Sequence, residues 1–316
     1  MPANPLPPRP LPRYVLITPA RNEQDFLEGT IQSVISQTLR PVRWVIVSDG
    51  STDRTDDIVR LCAVKHDWVE LVRMPERKER NFAGKVIAFK AGLDRLKGLD
   101  FEVLGNLDAD ITFEPGYFEF LMGKFAENPR LGVGGTPFQE NGVQYDYRFT
   151  SVEHVSGACQ MFRKQCFEDI GGYTPIRGGG IDLVAVVSAR MKGWETRSFL
   201  EKACEHHRKM GTATQSKLAF FFRGGGRDYR LGVHPLWQTL RAVYQMGRKP
   251  LFVGGIGLFT GYFWAMITRM EKSVPKDFAR FRQKEQLERL KRRFRKVPSS
   301  GGGAKPEPSG AGVSGC

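Results

Sequence analysis

The chain has 316 residues, 41% of them apolar, five cysteines and a formal net charge of +14. That apolar share supports a real core and excludes a mostly disordered chain. The cysteines (Cys62, Cys159, Cys166, Cys204 and Cys316) are odd in number and contain no C-x-x-C pair, which excludes a disulfide-stapled secreted scaffold and an ordinary structural zinc site.

Residues 1–13, MPANPLPPRPLPR, read as a Pro-rich leader with neither a fold of its own nor the apolar run of a secretory signal. Tyr14–Thr18 is a short apolar run, a buried strand. Ile31, Val34, Ile35 and Leu39 then follow at helical spacing. Val42–Ser48 is a second buried strand, Asp53 to about Cys62 a helix, and Val69–Val72 a third strand. Val86–Leu96 reads as a helix and Val103–Leu107 as a fourth strand. Alternating strands and helices imply a layered α/β sheet with covered faces, and such sheets bind ligands beyond the carboxyl ends of their strands. Three polar clusters fall at those ends: Pro19–Glu23, Asp49–Asp53 and Asp108–Asp110.

The second half is less regular. Cys159–Phe162 reads as a strand, Lys164–Ile170 as a short helix stopped by Gly171-Gly172, and Leu183–Met191 as a helix. Residues 235–247 carry an apolar stripe with an aromatic edge, suited to a bilayer interface or to packing on the domain. Leu251–Ile267 has no charge over seventeen residues, a length of roughly 25 Å against a hydrocarbon core of about 30 Å. A re-entrant or interfacial membrane segment is therefore favoured over a full span. From 269 to 298, twelve basic residues face four acidic ones, a basic helical tail that points to an electrostatic tether on an anionic surface. Nucleic acid is not expected as a partner, because the body is nearly balanced in charge. Residues 299–316 are Gly/Ser/Pro-rich and read as a disordered tail.

Asp108-Ala109-Asp110 closes an apolar strand with two carboxylates two residues apart. Hard oxygen donors of this kind suit Mg²⁺ or Mn²⁺ shared with a diphosphate. Ser48-Asp49-Gly50-Ser51-Thr52-Asp53 leaves Asp49 at a strand end, with Ser51 or Thr52 placed to cap the next helix. Thr18-Pro19-Ala20-Arg21-Asn22-Glu23 adds a third polar loop at the same edge. Three loops converging on one edge are a ligand site rather than a passive scaffold.

The run YVLITPARNEQDFLEGTIQSVISQTLRPVRWVIVSDGSTDRT resembles the nucleotide-binding start of glycosyltransferase family 2. Asn81-Phe82-Ala83-Gly84-Lys85, with Ala88 and Ala91-Gly92-Leu93, resembles that family's G-K-x-x-A-x-N-x-G segment, with Lys90 where Asn is common. Leu107-Asp108-Ala109-Asp110 matches its D-x-D motif, and Gly157–Gly172 resembles its acceptor-side segment. The resemblance covers about residues 14–215. It implies an inverting, metal-dependent transferase of GT-A fold, a Rossmann-like mixed sheet flanked by helices. It also implies that Asp49 contacts the uracil or ribose of a nucleotide-sugar. Asp108 would sit in the ribose and metal shell, and Asp110 would bind Mg²⁺ or Mn²⁺. Pro19, Ala20 and Glu23 would shape the nucleotide pocket, with Lys85 beside it.

The family's general base lies eleven residues before a Gly-aromatic step. Gly193-Trp194 places it at Asp182, although the preceding residue is Ile181 rather than Glu. A helix cap is the other reading of Asp182. His206, in Glu205-His206-His207-Arg208, is a further metal ligand or an ordinary strand-end histidine. The Q-x-x-R-W motif of polymerising members is missing, since Gln215 is followed by Ser216-Lys217-Leu218-Ala219, so single-sugar transfer is favoured. Arg223-Gly224-Gly225-Gly226-Arg227 reads as a phosphate-binding loop, a gate or a plain loop.

The expected layout is a leader at 1–13, a catalytic domain at 14–230, membrane-associated helices at 231–272, a basic helical tail at 273–298 and a disordered end at 299–316. The expected function is transfer from a nucleotide-sugar, UDP-linked by family habit, to an acceptor. A polyprenyl-linked acceptor at the cytoplasmic face of the cell membrane would serve cell-surface polysaccharide synthesis. A nucleotidylyltransferase is disfavoured because Thr18–Glu23 contains no Gly. A degenerate membrane or nucleic-acid binding module is the remaining alternative.

Overall fold

Tyr14 and Leu16 point into one apolar cluster with Trp44 and Ile46, while Val15 and Ile17 point into another with Val45 and Val47. Successive strand side chains face opposite ways, so these strands are apolar on both faces and must be covered on both. The computed structural model describes residues 10–76, 82–140, 143–144, 151–176, 178–208 and 216–295. Residues 1–9, Asn81, Gln215 and the end from 296 onward, Cys316 included, lie outside them.

In chain order the first elements are β1 (Tyr14–Ala20), α1 (Leu27–Ile35), β2 (Arg43–Asp49), α2 (Thr55–Lys65), β3 (Val69–Met74), α3 (Phe82–Asp94) and β4 (Val103–Leu107). They are followed by β5 (Ile111–Thr112), α4 (Tyr117–Glu127), β6 (Leu131–Gly135), β7 (Phe138–Glu140), β8 (Val143–Gln144), β9 (Cys159–Arg163) and α5 (Lys164–Asp169). Then come α6 (Ile181–Met191), β10 (Glu195–Ser198), β11 (Cys204–His206), α7 (Lys217–Arg230), α8 (Pro235–Met246), α9 (Val253–Ile267) and α10 (Lys276–Arg295).

The main sheet has seven strands in the order β10-β6-β9-β4-β1-β2-β3. Its pairs are parallel apart from those of β9, which runs against β4 and β6. Buried side chains of α1, α2 and α4 cover one face, and those of α3, α5 and α6 the other. A mixed α/β sheet flanked by helices is thus what the chain forms. A second sheet, β5-β11-β7-β8, follows β4 directly through Asp108–Asp110.

Beyond the sheets the structure departs from the sequence reading. Arg223–Arg227 lies within α7, inside the range assigned to the catalytic domain, and not in a loop. Three glycines cost a helix about 1 kcal/mol each. Tertiary packing offsets that cost, because Gly225 and Gly261 let two backbones touch. A methyl at Gly225 would overlap the Leu258 carbonyl oxygen, and one at Gly261 the Phe222 carbonyl oxygen. Gly261→Val should therefore lower unfolding stability by about 1–3 kcal/mol. A thermal melt identical to wild type would refute this contact.

The basic helix is also not a free tether. In α10, Glu285 accepts two hydrogen bonds from the Arg190 guanidinium of α6, at 2.7 and 2.9 Å. Arg289 pairs with Glu153. Arg282 donates to the Leu231 carbonyl at 2.7 Å, and burial pulls its guanidinium down to about 10. The His234 N–H donates to Gln286 at 2.9 Å. Part of the tail's positive charge is therefore spent inside the molecule. Apolar residues of α6 and α10, including Val184, Val187, Phe278 and Ala279, form a third cluster between them.

Among the described residues no helix is long and apolar enough to cross a membrane. The fifteen residues of α9 span about 22 Å.

Candidate active site

Strand order brings the sequence-predicted donor residues together. β1 lies between β2 and β4. Pro19 and Ala20 at its end are in register with Val47 and Ser48, so Asp49 follows immediately beside them. Asp49 is nearly buried at the end of β2. The loops after β1 and β2 are tied to each other. The Asn22 N–H donates to Ser51 Oγ at 3.1 Å, the Thr52 N–H to Asn22 Oδ1 at 2.9 Å, and the Glu23 N–H to Thr55 Oγ1 at 2.8 Å. Ser51 thus joins two loops instead of capping α2, and Asp53 takes the Thr55 N–H at 3.0 Å. Gly50 makes the turn between them at φ +65°, a region side chains rarely enter.

Asp108 follows β4, its N–H donating to the Ala158 carbonyl at 2.8 Å and its carboxylate paired with Lys85 of α3. Burial raises its pKa, with Lys85 opposing and nearby Asp110 adding. Asp110 is buried where β5 pairs antiparallel with β11, His206 lying opposite Ile111. His206 Nε2 is 3.7 Å from Asp110 Oδ1, and its Nδ1 is 3.4 Å from Glu140 Oε1. Arg208 Nε is 3.3 Å from Asp110 Oδ2, and the same guanidinium pairs with Glu23. His207 instead meets Thr112 Oγ1 at 2.8 Å.

Among the described residues no three His, Cys, Asp or Glu side chains converge at metal-ligand geometry; Lys85 and Arg208 supply the positive charge. The donor chemistry nevertheless fits a hard divalent cation. The Asp110 charge adds to the rise in the Asp108 pKa, so the two carboxylates feel each other, and His206 turns its Nε2 toward Asp110.

Asp182 sits in the first turn of α6, after Gly180 at φ +96°. The Cβ position of Gly157 is 3.1 Å from Asp182 Cβ and 3.6 Å from its Oδ2. The Gly157 carbonyl accepts from Asn106 Nδ2 at 2.7 Å, two residues before Asp108. Burial raises the Tyr173 phenol, with Asp182 and Asp108 both adding to the rise. Burial pulls the His154 imidazole down while Asp182 opposes. Asp182 and Asp108 thus both lie within electrostatic reach of the Tyr173 phenol. Sequence reasoning missed Arg208, Glu140, His154 and Tyr173; the only signal was the charged run ending in Arg208. A cleft of about 750 Å³, lined by Lys124, Arg130, Arg190, Trp194 and Glu285 among others, contains none of the candidate donor residues and is not this site.

This sheet order, with carboxylates at the strand ends, is that of a GT-A-like mixed α/β fold. The family model described as Glycosyl transferase family 2 matches residues 15–177, and the chain belongs to that family. Poly-beta-1,6-N-acetyl-D-glucosamine synthase of Staphylococcus epidermidis is 25% identical over 170 residues, 48% of this chain and 39% of the relative. The protein of the same name from Staphylococcus aureus strain MSSA476 is 23% identical over the same lengths. The chain thus spans about two fifths of the curated relatives it matches. Among solved structures, a mannosyltransferase from Pyrobaculum calidifontis in complex with GDP-Man and Mn²⁺ shares 18% identity. The alignment covers 91% of this chain and 83% of that one, with a TM-score of 0.54. TarS 1–349 of S. aureus with UDP-GlcNAc shares 13% identity, covering 85% and 78%, with a TM-score of 0.52. Both show the same GT-A-like fold.

Proposed function

We propose that the protein is an inverting, divalent-metal-dependent glycosyltransferase that moves a sugar from a UDP-sugar to a lipid-linked acceptor in cell-surface polysaccharide synthesis, at the cytoplasmic face of a membrane. The observation that supports this reading most is the close approach of Asp182 to Gly157, where a Cβ would stand 3.1 Å from Asp182 Cβ, and whose carbonyl is held by Asn106 beside Asp108. It supports a role for the Asp182 carboxylate as base beside the proposed donor residues.

In this reading the Asp182 carboxylate takes the proton of the acceptor hydroxyl as its oxygen attacks the anomeric carbon. The nucleoside diphosphate leaves from the opposite side, so the anomeric configuration inverts. Asp49 and the Pro19–Ala20 backbone hold the nucleoside, and Lys85 and Arg208 face the diphosphate. Asp110 and Asp108, with His206, would hold Mg²⁺ or Mn²⁺, which supplies neutralising charge for the departing diphosphate. The name of the Staphylococcus relatives supports the polysaccharide assignment, and the UDP-GlcNAc complex of TarS supports the uridine donor.

A thermal-shift series with UDP, GDP, CDP and ADP, each with Mn²⁺ or with EDTA, tests the donor. A ligand that binds only the folded state raises the melting temperature. UDP should raise it, and only with the metal. A shift with GDP alone would replace the base assignment. The absence of any shift would remove the transferase reading and leave a degenerate binding module.

A further inference from the structure

Among the described residues, nineteen large apolar side chains are exposed, and thirteen of them lie between Leu218 and Met270. They are not strays from a loose core. α9 buries its glycine edge against α7 and turns Ile256, Phe259, Trp264 and Ile267 outward. α7 adds Phe220 and Phe222, and the α8–α9 turn adds Leu251 and Phe252. A grouping of this size marks an interaction surface.

The charges around it identify the occupant. From 216 to 270 the chain carries eight basic residues and a single acidic one, Asp228. Asp228 is buried and accepts from Arg241 at 2.6 Å. Every exposed ionic group in the segment is therefore a cation, among them Lys217, Arg223, Lys249 and Arg269. Two copies of the chain meeting through this face would set like charges together. An anionic lipid surface matches both the apolar centre and the cationic rim.

We infer that α7, α9 and the 248–253 turn form a monotopic docking face for an anionic phospholipid bilayer, seated at the headgroup–acyl boundary. The length of α9, about 22 Å, suits lying in that boundary and is short of the hydrocarbon thickness. This inference does not depend on the assignment of the donor site. It names the surface by which the enzyme would meet a lipid-linked substrate.

Vesicle flotation with the full chain tests it, using phosphatidylcholine alone and phosphatidylcholine with roughly a third phosphatidylglycerol. Wild type should float with the anionic vesicles, at least tenfold more weakly with the neutral ones, and less at high salt. Phe252→Glu/Trp264→Glu changes two side chains that are 63% and 55% exposed, so its melting temperature should hold while flotation is lost. Lys249→Glu/Arg269→Glu should weaken anionic binding tenfold or more and leave neutral binding unchanged. Wild type that fails to float would overturn the inference. So would a Phe252→Glu/Trp264→Glu protein that floats as wild type does. A wild-type dimer in light scattering that this variant dissolves, without vesicle binding, would assign the face to a second copy and equally overturn it. None of these readouts uses sugar transfer, so a failure here is distinct from a failure of the proposed activity.

Discussion

Asp182→Asn is expected to lower turnover by about 10²–10⁴-fold, the range a positioned general base contributes, while UDP still binds. Asn has the same shape, so the contact with Gly157 and the start of α6 should survive. What is lost is proton acceptance. Binding should persist because the proposed nucleotide residues Pro19, Ala20 and Asp49 lie in β1 and β2, and Asp108 directly after β4, away from α6. The check is single-turnover transfer beside the UDP thermal shift. Transfer at the wild-type rate would remove Asp182 from the chemistry. A lost UDP shift would make it a folding residue.

The second large effect is expected at Asp110. Outer-shell partners of a bound metal already cost 10–100-fold in affinity when removed, so losing a direct carboxylate should cost about 100-fold or more. Asp110→Ala should then abolish most of the metal-dependent UDP shift. At ligand near 100 times the wild-type dissociation constant, a 100-fold loss of affinity removes about 2.3 kcal/mol of stabilisation. The variant also strips His206 and Arg208 of a carboxylate neighbour, so the comparison must be made against its own ligand-free melt. A full Mn²⁺·UDP shift in Asp110→Ala would move the metal elsewhere.

The strand-end part of the site was legible because β1, β2 and β4 are covered on both faces and read as largely apolar runs that stop at polar residues. Asp49, Asp108 and Asp110 fall at those stops. Arg208 and Glu140 were not legible, since they arrive through pairings of two or three residues between β5, β7 and β11. Such short strands leave no periodic trace. β6, LGVGG, hid for another reason: its glycines fit close neighbours, and a Cβ on Gly132 would meet Trp194 and Cys166. α7 is the clearest reversal, where a triple glycine that signals a loop is held helical by packing against α9. Asp182 could be placed only through a family spacing, and the structure adds what spacing lacked, its contact with the Gly157 loop.

The clasp between Arg190 and Glu285 joins residues 95 positions apart, and the one between Arg289 and Glu153 joins residues 136 apart. Contacts this distant in sequence repay their loop-closure entropy late in folding. On a ribosome, the strands bearing Asp49 and Asp108 are complete long before α10 emerges to brace the helix that bears Asp182. A nascent chain of about 190 to 284 residues holds Asp49, Asp108, Asp110 and Asp182 but not this brace. The setting of the Asp182 helix thus depends on a segment synthesised about a hundred residues later.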